Sequence, residues 1–248
     1  LCGLRPITYT IAAFNTIRCL EQIRVDICYH NLPVILVGVG SGLSYASLGY
    51  THHALEEVGM LRTLPNLSIL CPSDPMEVRG ALRAAYDHNG PTYIRIGKKG
   101  EPCIHKKIPD ITIGKSIIVR NGNDACILAS GPILNDALNA AKILELDGIQ
   151  TQVCSFYSAK PIDEDFLTTA FQNFSKIAVV EEHSVIGGVG SAISEWVIKN
   201  NKNSNQLMCF GTPDKIFNYS GSQEYAKKYF KLDPINIASK IKKELEKN

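Results

Sequence analysis

A chain of 248 residues, 45% hydrophobic and 20% charged, holds enough apolar material for two packed domains of roughly 100 to 150 residues each. Its 26 basic and 24 acidic residues leave a net charge of +2, and no basic stripe interleaved with aromatics occurs, which argues against nucleic acid as a partner. Apolar runs such as Leu32 to Val39 fall far short of the roughly twenty residues of a membrane span, and eight scattered cysteines without a CxxC pair read as small core residues in a reducing cytoplasm.

The chain opens at Leu1 inside LCGLRPITYT, which already reads as ordered structure and implies a fragment or a split gene product. The first predicted helix covers Ile17 to Tyr29, with Ile17, Leu20, Ile23 and Ile27 on one face. Runs rich in β-branched residues predict strands at Pro33 to Val39, Leu67 to Cys71 and Thr92 to Ile96. A helix over Asp74 to Asp87 follows PSDP, where Ser73 or Asp74 can cap it and Pro75 suits its first turn. From Gly97 to Thr112 the sequence turns polar and rich in breakers, as expected of a linker. Beyond it, strands near Ala125 to Ser130, Thr151 to Ser155, Lys176 to Glu181 and Leu207 to Gly211 alternate with helices near Ile133 to Leu146, Asp163 to Phe171, Gly188 to Lys199 and Pro234 to Leu245. The expected class is α/β, with two domains that are each a mostly parallel sheet flanked by helices. Their bounds fall at 1–97, whose amino-terminal part is expected to be missing, and 113–248, joined by the linker 98–112.

The stretch SGLSYASLGYTHHALEEVGMLRTLPN places a glycine-rich loop and two adjacent histidines after a parallel strand, where open α/β sheets bind ligands. Thr51 is expected to cap the following helix and leave His52 and His53 at its first turn, where the helix dipole favours a neutral imidazole. Packing is the competing reading for both histidines, and more so for His53. In EEHSVIGGVGSAISEW, a glycine-marked helix start can bind an anion or pack closely on the sheet, and packing is the expectation.

GYTHH followed by ALEEVGMLRTLPNLSILCPSDPMEV resembles the pattern of transketolases and deoxyxylulose-phosphate synthases, a glycine, any residue, Thr and His before a helix, then LR, PN and a strand ending in P.D. YTIAAFNTIRCLEQIRVDICYHNLPV is similar to the family's aromatic segment, GPTYIRIGKKG to the close of its pyrimidine-binding domain, and ILASGPI, AKPIDED and AVVEEHSVIGGVGSAISE to its terminal domain. The resemblance runs in order from about Leu4 to Leu245 and implies those two folds. It implies an enzyme that transfers a two-carbon ketol unit between sugar phosphates through thiamine diphosphate. A synthase-like enzyme acting on a keto acid is one alternative and a noncatalytic partner of a full-length enzyme another; the E1β subunits of 2-oxo-acid dehydrogenases share the domain order but match GYTHH less well.

Carried over by position, Phe14 matches the aromatic that packs on the cofactor's pyrimidine, and His52 matches the residue that reaches both cofactor and donor oxygens. Lys98 stands where many relatives bind the sugar phosphate with arginine, Arg95 is its neighbouring alternative, and His53 is expected beside the substrate. Leu48 departs from an acidic residue and Gly40 from a histidine common in relatives, so the donor site is expected to be tuned differently. The GDG motif that holds Mg²⁺ and the diphosphate does not occur in the sequence, and the family's catalytic glutamate would lie upstream of Leu1. The resemblance therefore implies Mg²⁺ bound on a domain outside this chain and an enzyme inactive without that domain and the upstream segment. It also implies a diphosphate-binding partner domain or subunit in a homodimer or heterotetramer.

Overall fold

The protein, described over residues 2–247 by a computed structural model, is built on two five-stranded sheets flanked by helices. In chain order, β1 (Ile7–Ile11) runs directly into α1 (Ala12–Asn15), followed by α2 (Leu20–Gln22) and a π-helical segment, Ile23–Cys28. The single helix expected over Ile17 to Tyr29 is thus broken at its start. Thr16 leaves helical geometry at φ −122° and its buried hydroxyl donates to the Ala12 carbonyl at 2.6 Å, the local hydrogen bond by which threonine competes with a helix.

β2 (Ile35–Val39), α3 (Glu57–Arg62), β3 (Ser68–Leu70), α4 (Pro75–Asp87) and β4 (Thr92–Ile96) complete the first run. Asp74 caps α4 by accepting from the amides of Met76 and Glu77, with Pro75 beside it as the sequence predicts. The second run holds β5 (Ile117–Arg120), β6 (Ala125–Ser130), α5 (Leu134–Leu146), β7 (Thr151–Ser155), β8 (Ser158–Lys160), α6 (Glu164–Asn173), β9 (Ile177–Ser184), α7 (Val189–Lys199), β10 (Leu207–Thr212), α8 (Gln223–Tyr229) and α9 (Pro234–Leu245).

The first sheet is ordered β1-β2-β4-β3-β8, with β8 antiparallel to β3 and the other pairs parallel. The second is ordered β10-β9-β6-β7-β5, with only β5 antiparallel. β8 lies beyond the linker in sequence yet closes the edge of the first sheet, so the sheets do not divide where the sequence does. One apolar cluster also spans both, placing Val58, Leu61 and Ile69 with Leu128, Phe156, Val179 and Trp196.

The segment after β4 is packed rather than slack. The Asp74 carboxylate accepts the amides of Ile104 and His105, and Ile111 is buried against Gly80, where a Cβ would come within 2.6 Å of it.

Candidate functional site

β1 and β2 end side by side, and the aromatic residues of the site hang from those two ends. The α1 turn at the end of β1 carries Phe14. At the end of β2 the chain turns through Gly40, at φ +83°, and opens into a loop whose feet, Gly42 and Ala54, exchange a pair of 3.0 Å hydrogen bonds. Two single 3-10 turns, Ala46–Leu48 and Tyr50–His52, fill the loop, joined at Gly49 with φ +80°.

This geometry brings Phe14 and His52 together, with ring centroids 5.2 Å apart and planes tilted by 60°. His52 in turn meets Tyr45 at 6.0 Å. A cation covers each end of the row: the Arg18 guanidinium lies 3.9 Å from the Phe14 centroid and the Lys98 ammonium 5.0 Å from that of Tyr45, distances at which a ring quadrupole attracts positive charge. Lys98 also borders a cleft of about 300 Å³ shared with Ser73, Arg79 and Glu101.

Tyr45 is the site residue that the sequence did not disclose. Its one trace is Gly40: a Cβ there would fall 2.0 Å from the tyrosine ring, so the absence of a side chain at 40 is what lets Tyr45 lie against the strand end. A histidine at 40 and this placement of Tyr45 exclude each other.

Thr51 is not the helix cap expected. α3 begins at Glu57 after the uncapped Glu56, and the Thr51 hydroxyl instead sits 3.0 Å from His52 Nδ1. His52 is therefore oriented by its neighbour and by two aromatic rings, not by a helix terminus.

Two residues expected at the substrate, His53 and Arg95, are buried. His53 is 1% exposed and packs its ring 6.1 Å from Phe217 of the terminal domain, with neither ring nitrogen hydrogen-bonded; burial pushes its pKa below the ordinary histidine value. Its packing against Tyr50 and Phe217 keeps the ring out of solvent. Arg95 is 2% exposed and already committed: Nε donates to Glu57 Oε1 at 2.5 Å, and Nη2 donates to the carbonyls of Ala54 and Glu182 at 2.7 and 2.8 Å. Burial alone would raise the Glu57 pKa, but the Arg95 charge and hydrogen bond outweigh it and hold the carboxyl below its ordinary value. Lys98, by contrast, stands two residues beyond the end of β4 and is exposed.

In the terminal domain, the start of α7 has no room for a free anion. The Glu181 carboxylate accepts the amides of Val189 and Gly190, both at 2.8 Å, and a Cβ on Gly188 would meet it at 2.4 Å. The glycines serve close packing, as the sequence reading favours. Among the described residues no group of three or more His, Cys, Asp or Glu is arranged to hold a metal ion, and no helix is long and apolar enough to cross a membrane.

Two α/β units, each on a mostly parallel sheet, meet near an aromatic row at the strand ends, and comparison with known proteins gives the class. The model of the transketolase pyrimidine binding domain matches residues 1–101 and that of the transketolase C-terminal domain residues 114–237. The chain belongs to the transketolase family and corresponds to the C-terminal section of such an enzyme. It is 33% identical to a subunit of the apulose-4-phosphate transketolase of Actinobacillus succinogenes, over 96% of this chain and 76% of that protein. It is 32% identical to 1-deoxy-D-xylulose-5-phosphate synthase 2 of Geobacter sulfurreducens over 97% of this chain, which spans only 38% of that protein. A solved structure described as a split gene transketolase, inactive beta4 tetramer, superposes with a TM-score of 0.89 at 31% identity, covering 98% of this chain and 77% of that one.

Proposed function

We propose that this chain is the pyrimidine-side subunit of a thiamine-diphosphate-dependent transferase that moves a two-carbon ketol unit between sugar phosphates. The observation that carries this reading is the convergence of Phe14, His52, Tyr45 and Lys98 at the ends of β1, β2 and β4. The residues fit the ring half of the cofactor: Phe14 is half-buried and offers an aromatic surface beside a hydrogen-bonding imidazole. When bound, the cofactor supplies the nucleophilic carbon that carries the ketol unit between substrates.

The chain's own residues then bind, orient and stabilise charge. Phe14 packs on the pyrimidine. His52, its ring steadied by Thr51, Phe14 and Tyr45, presents a donor to the substrate oxygen on which charge develops. Lys98 attracts the phosphate as a point charge at the mouth of the site.

The diphosphate and its Mg²⁺ belong, in this reading, to a partner chain, and the working assembly is a heterotetramer in the cytoplasm built around a pair of these chains. The relative named as one subunit of a transketolase and the neighbour described as an inactive beta4 tetramer support it. A keto-acid donor is the second reading, favoured by the synthase match and by Leu48, an exposed apolar residue on the loop where relatives carry an acid.

Mixing the chain with a diphosphate-domain subunit, thiamine diphosphate and Mg²⁺ in a coupled assay tests the proposal. Ketol transfer from a sugar phosphate is expected, and His52→Ala should lower turnover by about one to three orders of magnitude. Turnover of pyruvate and not of sugar phosphates would select the second reading. Unchanged turnover in His52→Ala would remove His52 from the site.

A further inference from the structure

The loop that presents His52 is held in place chiefly by the other domain. Leu43, Ala46 and Leu55 pack into the terminal domain's apolar cluster with Phe217 and Ala226. Hydrogen bonds of the Ala46–Leu48 and Tyr50–His52 turns are internal to the loop and fix its shape, not its position. One point in the terminal domain reaches the amino-terminal end of the loop directly and the Ala54 foot through Arg95.

That point is Glu182, near the end of β9 and 4% exposed. Its Oε2 accepts the Leu43 amide at 2.9 Å, and its main-chain carbonyl accepts Arg95 Nη2, which also donates to the Ala54 carbonyl. Gln223 Nε2 donates to both carboxylate oxygens at 2.9 and 3.0 Å and so holds the side chain from α8. Gly42 lets the loop come this close, since a Cβ there would lie 2.4 Å from the Glu182 Cβ. The neighbouring residues extend the seam: the Ser184 amide donates to Leu55 O at 2.7 Å, and His183 Nε2 accepts from the Gly59 amide at 3.3 Å.

We infer that Glu182 is a positioning residue, through which the terminal domain sets the placement of loop 43–53 and hence of His52 against Phe14. A buried carboxylate that accepts a main-chain amide is hard to replace, because its loss leaves that donor unpaired in a place water does not reach. Glutamine keeps one oxygen for Leu43, whereas alanine keeps none. The catalytic consequence rests on the function proposed above; the positioning itself does not.

Hydrogen exchange on the chain alone, with the His52 ring followed by NMR, tests the inference without cofactor or partner. Glu182→Ala should speed exchange of the amides of residues 43–54 by about tenfold or more while β2 and β9 stay protected. It should also shift the His52 Cε1–H resonance. Glu182→Gln should restore both, and Gln223→Leu, which leaves the carboxylate but removes its anchor, should produce a smaller change of the same kind. Uniform acceleration across both sheets, or an undisturbed loop and His52 resonance in Glu182→Ala, would overturn positioning. If Glu182→Ala does not fold, the Gln223→Leu result decides. In the assembled enzyme the loosened loop should lower kcat about tenfold with little change in KM for the sugar phosphate. A loosened loop with kcat unchanged would confirm positioning and refute the role given to His52.

Discussion

Replacing Arg95 with alanine separates a substrate role from a structural one. The guanidinium and its partner carboxylate are 2% and 0% exposed, so the substitution leaves Glu57 charged, buried and without its cation, a loss of about 3–5 kcal/mol for breaking such a pair. The Ala54 and Glu182 carbonyls lose their shared donor as well. With an m value of about 3 kcal/mol per molar urea, the unfolding midpoint should fall by about 1 M or more. The double variant Arg95→Met with Glu57→Leu fills similar volume without a stranded charge and should recover most of that loss. Because the folded Glu57 pKa is depressed, the pair stabilises the fold above the ordinary carboxylate value and the contribution is lost as pH falls through the folded pKa, so the double variant should lose less stability on acidification. Urea titrations followed by circular dichroism at neutral pH and in steps downward from about pH 4.3 read both effects. An Arg95→Ala chain with an unmoved midpoint but weakened phosphate binding would refute this reasoning and return Arg95 to the substrate.

Two more outcomes follow from the site's geometry. Gly40→Ala adds a Cβ at φ +83° and 2.0 Å from the Tyr45 ring, so it should cost about 1–3 kcal/mol and abolish the nuclear Overhauser contact between the Tyr45 and His52 rings. His53 has a depressed folded pKa, so the unfolded chain takes up a proton that the folded one resists as pH falls below about 6.5; stability should drop in that window, and His53→Leu should flatten the drop in urea midpoints between about pH 7.5 and 5.5.

The elements that the sequence disclosed are those whose own residues decide them. Thr92 to Ile96, Ala125 to Ser130 and Thr151 to Ser155 are strands with the bounds predicted, since β-branched and small apolar residues fill positions buried on both faces of a parallel sheet. β1, β5, β8 and α8 went unread, because β8 is three residues long and pairs through distant partners, while β1 is an edge strand with Ile7 and Tyr9 exposed. The site divides the same way. Phe14, His52 and Lys98 could be named from motif position, and the structure places them in one row. Arg95 lies three residues before the exposed Lys98, and only the three-dimensional pairing with Glu57 shows that it faces inward. Tyr45 leaves no motif, and its role emerges from the empty space at Gly40.

The antiparallel pairing of β8 with β3 bears on the order in which the chain can acquire its shape. Made from its amino terminus, the polypeptide exposes the open edge of β3 until Ser158 to Lys160 have been synthesised, with residues 71–157 in between. That edge offers unpaired amide and carbonyl groups beside the buried strand Ser68–Leu70, a template on which another chain's strand could pair. Contacts so distant in sequence also carry a high loop-closure entropy and form late. During translation the first sheet therefore depends on the second half of the chain for its final strand, and cleavage between them would yield two pieces of which the first has a raw sheet edge.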